Sequence, residues 1–355
     1  MRIAVITDTH WGVRNDSPEF LDYFTRYYEQ QFFPYLKKHG IEHILHLGDV
    51  VDRRKYVNYV TARRFRTSFI EPGLSRGYRY DFVVGNHDAP LRNSNDVNAM
   101  WELVGRESSN VRVFPEATEV AYDSCQILLM PWIHSGNVGR STEVMNSSKA
   151  QMMFGHLEIR GFEMYRGVTC NDGFDRTMFD KFDVVASGHF HRKTTAGNIH
   201  YLGAPYEMTW ADYDDTRGFH VFDTDTREFE YVQNNQRMFR KLWYDDGSGP
   251  AEVVDFTQFR NTFVKVVVIN KTSPAAFETY IEGLVNAGPY DVQVVDDHNN
   301  KDLVSDASAV ENAEDTPAII AGYVSAMETY RVDKTALETL LKTLYVKAVS
   351  MENVE

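Results

Sequence analysis

The sequence predicts an α/β fold, a layered sandwich of sheets and helices followed by a small βαβ unit and a C-terminal helical pair. Three observations predict it. Short apolar runs alternate with segments whose apolar residues recur at helical spacing, the pattern of a sheet covered on both faces. A β-branched run from Phe263, a helix-like segment and another apolar run then repeat the alternation on a smaller scale. The chain closes on two apolar-striped stretches behind a polar, acid-rich segment.

The elements follow in order. Residues 3–6 form the first strand, ending at Thr7-Asp8. Residues 17–38 set Phe20, Tyr23, Phe24, Tyr27, Tyr28, Phe32 and Leu36 on helical spacing, and His39-Gly40 stops the helix. Residues 41–47 are the next strand, ending at Gly48-Asp49; a helix covers 57–70; the strand 82–84 ends at Gly85-Asn86. A helix is expected over 95–105 and strands over 111–114 and 126–130. The runs 152–154 and 184–186 end at Gly155-His156 and Gly188-His189, and 199–202, 218–223 and 228–232 read as late strands of a meander. A second unit begins near Met238, with a strand at 263–270, a helix at 274–286 ended by Ala287-Gly288-Pro289, and a strand at 291–295. Residues 296–316 read as an acidic linker or mobile loop, and 317–330 and 334–349 as helices. The expected division is therefore 1–240, 241–300 and 301–355.

At 355 residues the chain is long enough for two domains with cores of their own. Its two cysteines, Cys125 and Cys170, form no CxxC pair and no disulfide framework, which fits a reducing compartment. No apolar run approaches the ~18–20 residues that span a bilayer, so a cytosolic protein is expected. The net charge of −14 argues against indiscriminate nucleic-acid binding, but the charge is uneven. Residues 53–79 hold eight Arg or Lys against one acid, Glu71, and the last sixty-five residues hold thirteen acids against five bases.

Five of the apolar runs end in carboxylates, asparagine or histidine. Ligand sites in α/β sheets collect beyond the carboxyl ends of strands. The stretches are Asp8-Thr9-His10, Gly48-Asp49-Val50-Val51-Asp52, Gly85-Asn86-His87-Asp88, Gly155-His156 and Gly188-His189-Phe190-His191. In this order they resemble the pattern of the binuclear metallophosphoesterases: D-x-H, G-D-x-x-D, G-N-H-D, G-H and G-H-x-H. Two divalent cations ~3.5–4 Å apart repel each other, so an anionic ligand must bridge them; Asp49 is the candidate. Mixed imidazole, carboxylate and amide ligands suit borderline ions such as Mn²⁺ better than an all-oxygen Mg²⁺ site.

The resemblance implies a metallophosphoesterase sandwich. It also implies two divalent ions, Mn²⁺ in the first place with Mg²⁺ or another divalent metal as alternatives. One ion falls to Asp8, His10, Asp49 and His191, the other to Asp49, Asn86, His156 and His189. His87 falls at the position that protonates the leaving oxygen or stabilises its charge, Asp52 at the position that orients His87, and Asp88 just outside the ligands.

"DTHWGV", "GDVVDRRKYVN", "MPWIHSGN" and "YLGAPYEMTWADYDDTRGFHVFD" narrow the likeness to the SbcD-type nuclease subunits of DNA double-strand-break repair, and within them to the recombination endonuclease subunits of T-even-type phages. Some archaeal and eukaryotic members have histidine where Asp52 stands. This resemblance implies a Mn-dependent DNA nuclease: a duplex exonuclease with single-strand endonuclease activity, a DNA-capping unit, an SMC-type (SbcC-type) ATPase partner on the terminal helices, and a homodimer. A phage-encoded chain would act in the host cytoplasm. Arg14, Arg53, Arg54, Lys55 and Tyr56, close to the first two motifs, are the candidate DNA contacts. A phosphomonoesterase or cyclic-nucleotide phosphodiesterase, or a non-catalytic scaffold, are the alternatives.

Overall fold

The structure, a computed structural model, describes residues 1–105, 109–123, 125–165, 168–296, 324 and 333–352. Its strands are β1 (Arg2–Ile6), β2 (His43–His46), β3 (Arg79–Val83), β4 (Val111–Phe114), β5 (Thr118–Tyr122), β6 (Cys125–Met130), β7 (Met152–His156), β8 (Glu163–Tyr165), β9 (Val168–Thr169), β10 (Val184–Gly188), β11 (Thr194–Ala196), β12 (Ile199–Tyr201), β13 (Gly218–Asp223), β14 (Glu228–Gln233), β15 (Phe239–Asp245), β16 (Phe263–Asn270) and β17 (Asp291–Asp296). The fold is α/β with mainly parallel sheets, as the alternation of apolar runs predicts. The chain divides into two compact units. The first is Met1–Tyr206, Asp215–Asn235 and Val349–Glu355; the second is Glu207–Asp214 and Gln236–Ala348.

The first unit holds two six-stranded sheets, ordered β14-β13-β1-β2-β3-β4 and β11-β12-β10-β7-β6-β5. In each, four strands run parallel: β1 to β4 in one, and β6, β7, β10 and β12 in the other. Strand alternation makes the sandwich. Ile3, Val5, Leu45, Leu47 and Val83 meet Ile127, Leu129, Met152, Phe154 and Ala186 in one buried cluster. The opposite face of the second sheet, with Leu128, Met130, Met153 and Val185, packs on Met145, Phe162, Phe179 and Phe182. Each such side chain stabilises by about 1.5–3 kcal/mol when fully buried.

The first expected helix is broken into Pro18–Tyr27, a π-helical turn Tyr28–Phe32 and Phe33–His39. The second is Tyr59–Phe65, a π-helical turn Arg66–Ile70 and Glu71–Leu74. Both extra turns lie in one aromatic layer, where Tyr28 meets Phe69 with ring centroids 4.8 Å apart. Packing of large rings, not local propensity, sets them. The third expected helix is shorter than its pattern, Ala99–Val104, because the Asn98 side chain caps it by accepting the Trp101 N–H. Strand β5 and the helix Val138–Ser147 were not anticipated.

In the second unit β15, β16 and β17 form an all-parallel sheet. Pro274–Asn286 links β16 to β17, with Ser273 capping its first turn. Tyr244, Val264, Val266, Val268 and Leu284 make its core. Strand β15, not anticipated, crosses position 240, where the sequence reading divides the chain. Of the terminal pair, Lys334–Glu352 is helical. The expected linker and the helix at 317–330 lie outside the described residues apart from Asp296 and Val324.

Candidate metal centre

All five motifs fall in the first unit, at the carboxyl ends of β1, β2, β3, β7 and β10 or in the loops that leave them. The loops are tied to one another before any side chain acts. The Asp8 N–H donates to the Gly48 carbonyl (3.0 Å), the His10 N–H to the Asp49 carbonyl (3.1 Å) and the Trp11 N–H to the Val50 carbonyl (2.8 Å). Asp88 joins the second and third motifs: its carboxylate accepts the main-chain N–H groups of Asp49 (2.9 Å), Val50 (2.8 Å), Val51 (3.3 Å) and Gly85 (2.9 Å). Two glycines permit the approach. A Cβ on Gly85 would collide with the Asp49 backbone nitrogen and carboxylate, and one on Gly188 with the Thr7 hydroxyl. Asp8, His10, Asp49 and His189 all adopt positive φ, between 41° and 87°. That region is sparsely populated by non-glycine residues, and such strain concentrates at functional sites.

The side chains then converge. Asp8, His10 and His191 form one group of potential metal ligands, and Asp49, His156 and His189 another; within each group one donor atom per residue lies within 4.8 Å of the others. Asp49 Oδ2 is 3.8 Å from His10 Nε2 and 3.3 Å from His156 Nε2, so one carboxylate reaches toward both groups. Asn86 Oδ1 lies 2.9 Å from His156 Nε2 and 3.0 Å from His189 Nδ1. His10 Nε2 faces His191 Nε2 at 3.0 Å. At most one of these two nitrogens can carry a proton toward the other. The His189 main-chain N–H donates to the Asp8 carboxylate.

His87 sits edge-on to His10, with ring centroids 4.9 Å apart, and Asp49 Oδ1 accepts its main-chain N–H (2.8 Å). Its Nδ1 meets the carbonyl oxygen of Asp52 at 2.5 Å. The sequence expectation has Asp52 orient His87. The contact exists, but the main chain makes it, while the Asp52 carboxylate lies 3.5 Å from His10 Nδ1.

Buried charge shapes the titration. Desolvation depresses His10 and His156, but the surrounding carboxylates outweigh it: Asp52, Asp49 and Asp8 for His10, chiefly Asp49 and Asp8 for His156. Both imidazoles rise to about 9. Desolvation opposes ionisation of Asp49, yet His156 and His87 hold it well below the usual carboxylate range. Burial, with Asp49 nearby, lifts Asp88 to about 6. Burial lowers His87.

The basic residues behave differently from one another. Arg53 is bound to Asp16 (2.9 Å) and Asn15, and its guanidinium lies 5.1 Å from the centre of the Tyr56 ring. Arg54 donates to the Ala89 carbonyl (3.2 Å), crossing from the second-motif loop to the third. Arg14, Lys55 and Tyr56 are exposed. Three residues near the metal groups were not anticipated. Glu158 lies 3.6 Å from His189 Nε2, Trp132 packs on His189 (5.0 Å between centroids), and Arg217 holds the His191 carbonyl. Glu158 stands two positions after His156, and Trp132 lies within "MPWIHSGN", so both were within reach of the sequence.

The profile of the calcineurin-like phosphoesterases matches residues 1–193. Exonuclease subunit 1 of Enterobacteria phage T4 is 31% identical over 350 residues, 98% of this chain and 99% of that protein. A solved structure from the characterisation of a novel archaeal phosphodiesterase aligns with 66% of this chain and all of its own, at 14% identity and a TM-score of 0.34, a superposition too loose to bear on function.

Proposed function

The chain belongs to the calcineurin-like phosphoesterase family, and from that premise we propose that it is a two-metal DNA nuclease. In this reading manganese is the preferred ion, duplex ends and single strands are the substrates, and an SMC-type ATPase is the partner. The carrying observation is the pair of ligand groups between which Asp49 lies. The donor set fits divalent cations: buried carboxylates, imidazole nitrogens turned toward one another and an amide oxygen between two imidazoles. Asp8, His10, Asp49 and His191 would hold one ion, and Asp49, Asn86, His156 and His189 the other. Such a pair supplies Lewis acidity at the phosphoryl oxygens and an activated water at neutral pH.

The chain's own groups do the rest. The Asp52 carbonyl can only accept, so the Nδ1–H of His87 is held toward it, and a doubly protonated His87 would have its Nε2–H left to give to the leaving oxygen. Asp88 keeps Asp49 and the Asn86-His87 turn in register through its four main-chain bonds. Lys55, Tyr56 and Arg14 offer contacts for a phosphate backbone and its sugars, with Arg53 and Arg54 bracing the loops beneath. The small parallel sheet of 241–300 would cap DNA, and 301–355 would carry the ATPase-binding helices. The relative's designation as one subunit of an exonuclease supports a partner. A homodimer belongs to the same reading.

The test is purified chain with Mn²⁺, Mg²⁺ or EDTA, offered end-labelled duplex DNA, circular single-stranded DNA and p-nitrophenyl phosphates. Metal-dependent shortening of the duplex supports the proposal. Turnover of the small esters with DNA left intact would replace it with a phosphomonoesterase or cyclic-nucleotide phosphodiesterase. Inertness toward both substrates in a metal-loaded chain, with the partner present, would point to a scaffold.

A further inference from the structure

We propose that Glu158 is a positioning residue: its carboxylate takes the Nε2–H of His189 and thereby turns the Nδ1 lone pair toward the second cation position. This rests on the two-metal reading above. The two ring nitrogens of His189 face different partners, Nδ1 the Asn86 amide oxygen at 3.0 Å and Nε2 the Glu158 carboxylate at 3.6 Å. The second distance is ion-pair reach, longer than a formed hydrogen bond. Two other imidazoles of the centre are arranged alike, one through a hydrogen bond and one at ion-pair reach. His156 directs Nε2 at the ligands and Nδ1 at the Leu47 carbonyl (2.8 Å), and His10 directs Nε2 at them and Nδ1 at Asp52. An imidazole can offer a lone pair to a cation only from its unprotonated nitrogen, and a carboxylate on the far nitrogen fixes which one that is.

Glu158 is held in place from several sides. Its carbonyl accepts the Phe174 N–H (2.8 Å). Its neighbours are pinned by one buried tyrosine, whose hydroxyl donates to the Leu157 carbonyl (2.9 Å) and accepts the Ile159 N–H (3.0 Å): Tyr201. Ser187 Oγ accepts the Leu157 N–H (2.9 Å). The second carboxylate oxygen of Glu158 faces the Cys170 thiol at 3.8 Å. The His189 ring is clamped by Trp132 and Phe190, with centroids 5.0 and 4.9 Å away. A side chain merely lying on the surface would not need such a seat.

The experiment titrates the metal-stripped full chain with Mn²⁺ alone by calorimetry, in wild type, Glu158→Ala and Glu158→Gln. Wild type is expected to take up two equivalents. Glu158→Ala should weaken one of them ~10–100-fold and leave the other unchanged, and Glu158→Gln, which keeps an acceptor oxygen at the same place, should recover part of the loss. In ¹⁵N-histidine spectra of the Zn²⁺-loaded chain, the His189 signal (assigned with His189→Gln) should show a protonated Nε2 in wild type and a faster-exchanging proton in Glu158→Ala. Two unchanged equivalents in Glu158→Ala would overturn the assignment, as would equal weakening of both, the mark of a general structural role. If Glu158→Ala does not fold, Glu158→Gln decides by the same asymmetry and the same spectrum. A wild-type chain that takes up no Mn²⁺ would overturn the two-metal reading itself, and this assignment with it.

Discussion

Two buried clusters of aspartate and histidine lie at opposite ends of the parallel strands in the first unit, and they are built in contrary ways. At the amino ends, Asp81 accepts His43 Nε2, Arg112 Nε and Nη2 and the Tyr122 hydroxyl, each at 2.7 Å. Every acceptor there meets a donor, and the backbone is unstrained at all four residues. At the carboxyl ends, two carboxylates share one pocket, two imidazole nitrogens face each other, and four ligand residues sit at positive φ. The first cluster is complete as a protein structure. In the second, the carboxylates are balanced by imidazoles that must carry protons to do so, and a cation can take the place of such protons. An acid next to a histidine therefore says little by itself; what distinguishes a brace from a candidate binding centre is whether fixed donors or exchangeable protons satisfy it.

Substitution breaks the comparison most sharply. Asp49→Asn should remove metal binding and abolish hydrolysis, by more than the ~10–100-fold loss typical of a change in an outer partner. His87→Ala should reduce turnover ~10²–10⁴-fold while metal titration stays as in wild type. Asp81→Ala should do the reverse. It leaves His43 buried without its partner and should cost about 3 kcal/mol in urea unfolding, toward the lower side because Arg112 is half-exposed, while metal affinity is unchanged. A chain in which Asp81→Ala loses metal and Asp49→Asn keeps it would invert the comparison.

Acidity sharpens the same contrast with smaller effects. In the metal-free chain His10 and His156 are raised from 6.5 to about 9. Their stabilising contribution is therefore full below pH 6.5 and lost as pH rises through about 9. Metal competes with those protons, so apparent Mn²⁺ affinity should strengthen over the same interval. Desolvation notwithstanding, His43 and Arg112 hold Asp81 below its usual 3.8. Its contribution is present above pH 3.8 and lost as pH falls through the depressed value. Urea midpoints in EDTA across the acid and alkaline ranges should fall at both ends, and Asp81→Ala should flatten only the acid side.

The sequence carried the binding centre better than the brace. Each motif ends an apolar run, and residues adjacent along the chain at a strand end share a loop, so ordered short motifs reported the convergence of β1, β2, β3, β7 and β10. The brace joins single residues from four strands with no local signature: the register of β2, β3 and β4 aligns three of them, and Tyr122 reaches Asp81 from β5 of the other sheet. Strand β5 escaped notice because three of its five residues, Thr118, Glu119 and Ala121, are exposed, and the π-helical turns because tertiary packing of Tyr28, Phe32 and Phe69 creates them. The role of the Asp52 main chain was equally hidden, since a carbonyl leaves no mark on residue identity.

The carboxyl-end cluster, as proposed, is a seat for two cations sharing Asp49. Anomalous diffraction from crystals soaked in Mn²⁺ tests it most directly. Two manganese peaks ~3.5–4 Å apart are expected, one bounded by Asp8, His10 and His191, the other by Asn86, His156 and His189, with the Asp49 carboxylate between them. A map with no manganese at these residues, or with a lone peak that Asp49 does not touch, would contradict it.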